Sequence, residues 1–506
     1  MTVQPFAVVP EIILGPPGTG KTTRLIRIVK EELASGTSPD RIGYITFTRK
    51  GAQEASARAA TALNLTAKSL PYFRTIHSLA MRWLGLPSGS VMEGDRMQEF
   101  AEHIGETITG RLSQEDGTWA GYDRGDRMLF MDNLARIRRV PLRTLYEQDH
   151  DDLDWHTVER FSRGLCAFKA AKELYDYSDL LEVFVSRDTR PLLDVLIVDE
   201  GQDLSELQWD VVRSLSKTVR RMVVAGDDDQ CIFRWAGGSI ETIVDMEGKV
   251  TVLDQSFRVP VAVQHVADDI ISRVRYRRPK IWRPREAPGK VTRIRTLDQA
   301  DWTGDDVMVL ARNRFQLDPI MQELRSSGVL FDFQGNSSVR RSLLDAIVTW
   351  ERLRRGEPQA AADVVKVYDY MTMNIGWTRG NKQLPKFQDT DNVSLGELQE
   401  NGGLLTDRPW HEALDKVGAT DRAYILRCRR NGELLTKKPR LRLSTIHGSK
   451  GGEADRVILL TDVASRVVQE MNRDPEDEAR VWYVGVTRAR EELMIVSPKT
   501  PRFYSI

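Results

Sequence analysis

The chain has 506 residues, 41% hydrophobic and 29% charged, too long for one core and too polar for a membrane-embedded protein. Lys plus Arg and Asp plus Glu number 73 each, so net charge is zero, which excludes a uniformly basic nucleic-acid coat and confines any such contact to a local groove. Cys166, Cys231 and Cys428 stand far apart without metal-like spacing, which fits a reduced, cytoplasmic setting.

Residues 1–10 lack a basic start and a cleavage site, so no signal peptide is expected. No apolar run approaches the ~18 residues that span a bilayer. Glu11, Ile12, Ile13 and Leu14 read as a strand, and Leu25, Ile28, Val29 and Leu33 recur later at helical spacing. Between them stand Gly15, Pro16, Pro17, Gly18, Thr19, Gly20, Lys21, Thr22 and Thr23. Strand, G-x-x-x-x-G-K-T loop and helix, in that order, make a phosphate-binding loop. Its glycines let backbone N–H groups close around phosphate oxygens at a helix N-terminus. Lys21 would reach the β- and γ-phosphates of a nucleoside triphosphate, and the Thr22 hydroxyl would bind Mg²⁺.

Residues 41–48 form a β-like run, followed by a helix from about residue 50 to 60, and residues 73–78 lead into a further helix. Residues 91–165 are charged and helical in pattern, an all-α insertion. The apolar run 192–198 predicts a buried strand, with Asp199 and Glu200 at its C-terminal end, where open α/β sheets place ligands. Asp199 would share the Mg²⁺ with Thr22, and Glu200 would polarise an attacking water; solvated loop acids are the competing reading. A strand at 221–225 ends in Gly226 and Asp227, and Gln230 follows close enough to sense a γ-phosphate. Phe233 and Trp235 flank Arg234 and could stack on unpaired bases, a core position being the other reading of Trp235. Alternating strands and helices imply a parallel α/β sheet. A second α/β region begins near Ser256, with strands expected at 306–311, 455–460 and 492–496 and a weakly patterned insertion between. Two basic clusters, residues 273–285 and 427–442, are solvated faces or phosphate contacts. No tail domain is expected after the last strand.

These motifs together resemble superfamily 1 helicases of the UvrD/Rep/PcrA type. Residues 15–23 resemble motif I, 44–58 motif Ia, 75–78 motif Ib, and 175–181 the short motif before motif II. Residues 198–203 resemble motif II, 226–235 motif III, 253–258 motif IV, 444–453 motif V and 481–490 motif VI. The resemblance implies an α/β fold of two RecA-like P-loop domains with parallel sheets, each carrying an inserted subdomain. The first RecA-like domain would occupy 1–90 and 166–255, with the mainly helical insertion at 91–165. The second would occupy 256–350 and 438–506, with a reduced insertion at 351–437.

ATP would lie in the cleft between the two domains. Arg258 and Arg488 resemble arginines that reach the γ-phosphate, Phe257 an aromatic that stacks on adenine, and Glu453 a residue near the ribose and γ-phosphate. Phe47, Thr48, His77, Phe233, Trp235 and His447 fall where the family contacts single-stranded DNA. The chain departs from the pattern in having no glutamine motif before Gly15, Gly201 in place of an aromatic, Ala236 in place of arginine and Gly452 in place of leucine.

The implied activity is an ATP- and Mg²⁺-dependent DNA helicase, a DNA-stimulated ATPase moving 3′→5′ on single strands and acting at single-strand/duplex junctions in repair or replication. It would work as a cytoplasmic monomer without a membrane. A translocase that strips proteins from DNA and a P-loop switch that needs no DNA are the alternatives.

Overall fold

The computed structural model describes residues 5–63, 65–109, 123–148, 152–187 and 189–506. Its first unit comprises Met1–Arg293, Lys450–Glu453 and Thr461–Ile506, and its second Ile294–Ser449 and Ala454–Leu460.

Short strands rich in Ile, Val and Leu, buried on both faces, favour a parallel sheet. The first unit's main sheet has six strands, β1 (Glu11–Leu14), β2 (Ile42–Thr46), β3 (Phe73–Thr75), β4 (Val195–Asp199), β5 (Arg221–Gly226) and β6 (Lys249–Val252), of which β1, β2, β4 and β5 are largely buried and the outer β3 and β6 are not. They lie in the order β3-β2-β4-β5-β1-β6, and every pairing is parallel. Successive side chains enter opposite cores, as the two-residue period of a strand requires. Ile12, Leu14, Leu196, Val198 and Val224 join one core; Ile13, Val195, Ile197, Val223 and Ala225 join the other with Leu25, Ile28 and Val29 of helix α1 (Lys21–Ala34). Each Ile, Leu or Val among them contributes roughly 1.5–3 kcal/mol on burial.

The parallel register fixes where the loops emerge. Leu14 stands opposite Gly226, and Thr46 opposite both Asp199 and Thr75. The loops after β1, β2, β3, β4 and β5 therefore leave one edge of the sheet.

Between β3 and β4 the described residues form a helical layer: Asp95–Ile104, Arg124–Ile137, Leu142–Gln148, Trp155–Lys172 and Tyr177–Ser186. Phe100, Met128, Met131, Leu134, Phe161, Leu165 and Phe168 form its core. Arg136 pairs with Asp176 at 2.7 Å and Glu182 at 2.8 Å and also meets Asp179, while Asp176 and Asp179 close a capping box on the last of these helices. After β6 come β7 (Gln255–Pro260) and β8 (Arg283–Arg285), a parallel pair.

In the second unit the strands Asn336–Ser337, Phe331–Phe333, Leu441–Thr445, Val307–Ala311 and Ala454–Leu460 lie in that order, parallel except for the first pair. A helical core packs beside them, built on Leu344, Ile347, Trp350, Val364, Tyr368, Trp410 and Tyr424. The fold is α/β with a parallel sheet in each unit. No helix among the described residues is long and apolar enough to cross a membrane.

Candidate functional site

The loop after β1 is shaped by its glycines. Gly18 and Gly20 take φ of +72° and +79°, a left-handed backbone that side chains disfavour. A Cβ on Gly15 would lie 2.0 Å from Cγ of Lys21, and one on Gly18 would lie 2.3 Å from Cβ of Arg258. Gly20 caps α1 without a side-chain hydrogen bond, which leaves the N–H groups of the first turn aimed at the loop's interior. Lys21 Nζ donates to the Gly15 carbonyl at 2.8 Å. The start of β7 closes the loop from outside: Phe257 N donates to Gly18 O at 2.8 Å, and Ser256 Oγ to Pro17 O at 2.7 Å. Phe257 is 71% exposed beside this loop, an apolar ring in water. Pro16 and Thr19 are buried, and Thr19 Oγ1 donates to Pro16 O at 2.8 Å; Thr22 and Thr23 begin α1.

At the end of β4, Asp199 is buried and accepts from the Tyr44 hydroxyl at 2.6 Å. Burial, then the neighbouring charge of Glu200, raises its pKa above the usual carboxylate range. Glu200 sits at φ +55°, a strained setting for a non-glycine residue. Burial pushes its carboxyl up, but Lys21, Lys450, a Gln202 hydrogen bond and Arg488 outweigh this and hold it low. Gln202 Nε2 donates to Glu200 at 2.7 Å, and Gln202 Oε1 accepts from Asp227 N at 3.0 Å. Gln230 Nε2 donates to Asp227 Oδ2 at 2.6 Å, and Arg488 Nη2 donates to Gln230 Oε1 at 3.0 Å.

One chain of hydrogen bonds therefore runs from Glu200 through Gln202, Asp227 and Gln230 to Arg488. Arg488 is 1% exposed; burial, then repulsion from Arg258, pushes its pKa down to about 9. Arg258 Nε donates to Glu453 Oε2 at 2.5 Å, and Arg490 meets the same carboxylate at 3.4 Å. Buried or half-buried cations facing one another beside open N–H groups are stabilised by an incoming anion. Thr22 and Asp199 are oxygen donors of the kind Mg²⁺ takes together with phosphate and water. Among the described residues no group of three or more His, Cys, Asp or Glu could hold a metal ion.

Tyr44, Gln202 and Lys450 had no role assigned from the sequence. Lys450 Nζ donates to both oxygens of Asp203 and to Gln230 O, each at 2.6 Å, and lies 5.1 Å from the Phe233 ring centre. Burial raises Asp203 to about 6 against the pull of Lys450. The signals were present, Gln202 two residues past Glu200 and Lys450 beside the glycines of motif V, but the pairings span up to 247 residues.

Of the expected DNA-contacting residues, Phe47 and Phe233 stack on each other at 5.7 Å. Thr48 Oγ1 accepts from Gly51 N at 3.0 Å at the start of helix Arg49–Leu63. His77 is half-buried in the first turn of helix Ile76–Leu84, edge-on to Tyr177 at 5.6 Å. Trp235 is half-buried and packs against the core of the helical layer. His447 belongs to the second unit and is buried.

Residues 4–251 match the UvrD/REP helicase N-terminal domain, and residues 424–500 match the UvrD-like helicase C-terminal domain. The chain belongs to the UvrD/REP helicase family. The N-terminal match contains Lys21, Asp199, Glu200, Gln230 and Trp235, and the C-terminal match contains His447, Glu453 and Arg488.

Among UvrD/REP relatives, the chain is 24% identical over 323 residues to the ATP-dependent DNA helicase PcrA of Staphylococcus epidermidis, covering 59% of this chain and 43% of that one. It is 23% identical over 626 aligned positions to the ATP-dependent DNA helicase PcrA of Bacillus subtilis, covering 97% and 81%. The match to the probable DNA helicase II homolog of Mycoplasma capricolum covers 54% and 40% at 23% identity. The chain thus spans less than half the length of the first and third of these relatives. The crystal structure of Arterivirus nonstructural protein 10 (helicase) aligns at a TM-score of 0.33 and 12% identity over 96% of this chain and 59% of that one, too slight a likeness to bear on fold or function.

Proposed function

We propose that this protein is an ATP-dependent DNA helicase that moves 3′→5′ on single strands. The observation that carries this reading is the hydrogen-bonded chain from Glu200 to Arg488, set beside the Lys21 loop in a member of the UvrD/REP family. Lys21 and the first-turn N–H groups of α1 bind the β- and γ-phosphates; Thr22 and Asp199 would hold a Mg²⁺, which would neutralise charge on them. Glu200, kept ionised by its cationic neighbours, orients and polarises the attacking water; so acidic a group is a poor store for the proton. Arg258 and Arg488 stabilise charge on the transferring phosphoryl group. Phe257 offers its exposed ring to the base. Lys450 ties the Gln230 backbone to the Phe233 ring, and with it the nucleotide groups to the aromatic pair proposed to meet DNA.

The test is ATP hydrolysis with and without single-stranded DNA, followed by strand separation on duplexes carrying a 3′ or a 5′ tail. Hydrolysis stimulated at least tenfold by DNA, with unwinding from the 3′ tail, is expected. Hydrolysis indifferent to DNA would make the protein a nucleotide switch. Stimulation without unwinding would make it a translocase that displaces bound proteins, and unwinding from the 5′ tail alone would reverse the polarity.

A further inference from the structure

The turn after β5 carries three consecutive aspartates, Asp227, Asp228 and Asp229, with side chains at most 1% exposed. Three buried carboxylates in a row repel one another and lose water, so they need a matching set of donors. The first basic cluster of the sequence provides it. The Lys280 side chain is fully buried, and its ammonium lies 3.3 Å from Asp227, 3.1 Å from Asp229 and in hydrogen-bonding contact with Asp228. An ammonium has three N–H donors, one for each carboxylate. Arg277 adds a two-pronged pairing with Asp229, one prong at 2.7 Å, and the Arg278 backbone N–H donates to Asp228 at 2.8 Å.

The segment holding Lys280 is itself tied down. The Arg278 side chain donates to Ile243 O at 2.8 Å and to Met246 O. Arg480 donates to Tyr276 O at 2.6 Å and to Asp228 O at 3.2 Å, and Glu476 accepts from the backbone of Arg275 and Tyr276. Arg277, Arg278 and Lys280 are thus engaged inside the protein and are not a phosphate-binding face.

We infer that Lys280 is a positioning residue for the hydrolytic centre: it holds Asp227 so that Gln230 is presented to Arg488 and Gln202 to Glu200. This inference rests on the hydrolytic reading proposed above. Asp227 is where the two arms meet, since its carboxylate accepts from Gln230 Nε2 and its N–H donates to Gln202 Oε1. With Asp227 charged and fixed, the Gln230 amide has one favourable orientation, NH₂ toward the carboxylate and oxygen toward the Arg488 guanidinium. An Asp227 that turns or takes up a proton releases the amide to flip, and its NH₂ would then face a cation.

The experiment compares the full-length parent with Lys280→Met, Lys280→Arg and the double variant Lys280→Met/Asp228→Asn. It reads melting temperature, kcat and KM for ATP with saturating single-stranded DNA, and DNA affinity. Asp228 carries no bond to Gln230 or Gln202, so neutralising it relieves the excess charge without restoring the hold on Asp227. The double variant should melt within a few degrees of the parent yet keep a kcat about tenfold or more below it, with KM and DNA affinity within about threefold. Lys280→Met should share that kcat loss at a lower melting temperature, and Lys280→Arg should recover part of kcat. A double variant that regains melting temperature and kcat together would reduce Lys280 to a structural ion pair. A folded Lys280→Met with parental kcat would overturn the inference outright. A parent that hydrolyses no ATP would overturn the hydrolytic reading, and this role with it.

Discussion

Each side chain at the loop is given a distinct task by its surroundings, and single substitutions should separate those tasks. On the proposed reading Lys21 brings positive charge to the phosphates, so Lys21→Ala should lower ATP affinity and cut kcat about a hundredfold or more. Glu200→Gln keeps the shape and the Gln202 contact but removes the charge. Nucleotide affinity should stay within about threefold while hydrolysis falls by about a hundredfold, since the group proposed to orient and polarise the attacking water loses its charge. Parental hydrolysis in either variant would dismiss the assignment. Trp235 is the residue on which core and DNA readings compete. It is half-buried and packed against the helical layer. Base stacking on an aromatic is worth roughly 1–3 kcal/mol. Trp235→Ala should therefore weaken single-strand binding about tenfold, at 1.4 kcal/mol per factor of ten. Melting temperature and DNA affinity measured on the same sample decide it: a large fall in the first with the second intact assigns the ring wholly to the core.

At the scale of elements, the loop between β1 and α1 depends on the start of β7. Gly18 has φ of +72°, and a Cβ there would stand 2.3 Å from Arg258 Cβ. Gly18→Ala meets both backbone strain and a clash, an overpacking penalty of about 1–3 kcal/mol. Since Phe257 and Arg258 sit on the strand that must give way, the variant should lose nucleotide affinity about tenfold or more while its two cores stay intact. Binding of a fluorescent ATP analogue reads this, and unchanged affinity would mean that β7 does not shape the loop. Element boundaries were legible where pattern and pairing agree, as in β1, expected and observed at Glu11–Leu14. The strand expected at 192–198 instead runs Val195–Asp199. Leu192 is 64% exposed, and Asp194 is occupied with Arg41 at 2.6 Å, ahead of the first ladder residue. The strand continues to Asp199 because Thr46 on β2 stands opposite it, a register no local pattern contains.

For the molecule as a whole, titration couples a single site to global stability. Burial, with Arg49 adding to it, pushes His77 down from 6.5 to about 4. The unfolded chain binds a proton near 6.5 that the folded site accepts only near 4. His77 therefore contributes its full stability above about 6.5 and loses it as pH falls through that window. The melting-temperature difference between parent and His77→Gln should be constant above this window and shift against the parent toward pH 4; a difference that does not change with pH would place His77 in solvent. The same division between local and long-range causes separates what the chain discloses in one dimension from what folding adds. Loop glycines, strand periodicity and residue order are local properties, so the sequence by itself determined the phosphate-loop pattern, the parallel α/β class and the kinship with UvrD/REP helicases. It also set Asp199, Glu200 and Gln230 at or just past strand ends. The tertiary structure alone decided which charges meet: that Lys450 pairs with Asp203, that Arg488 bonds Gln230, and that Lys280 faces three aspartates rather than water. Those partners stand 51 to 258 residues apart, and an ion's partner is chosen by proximity in space after the cores have closed.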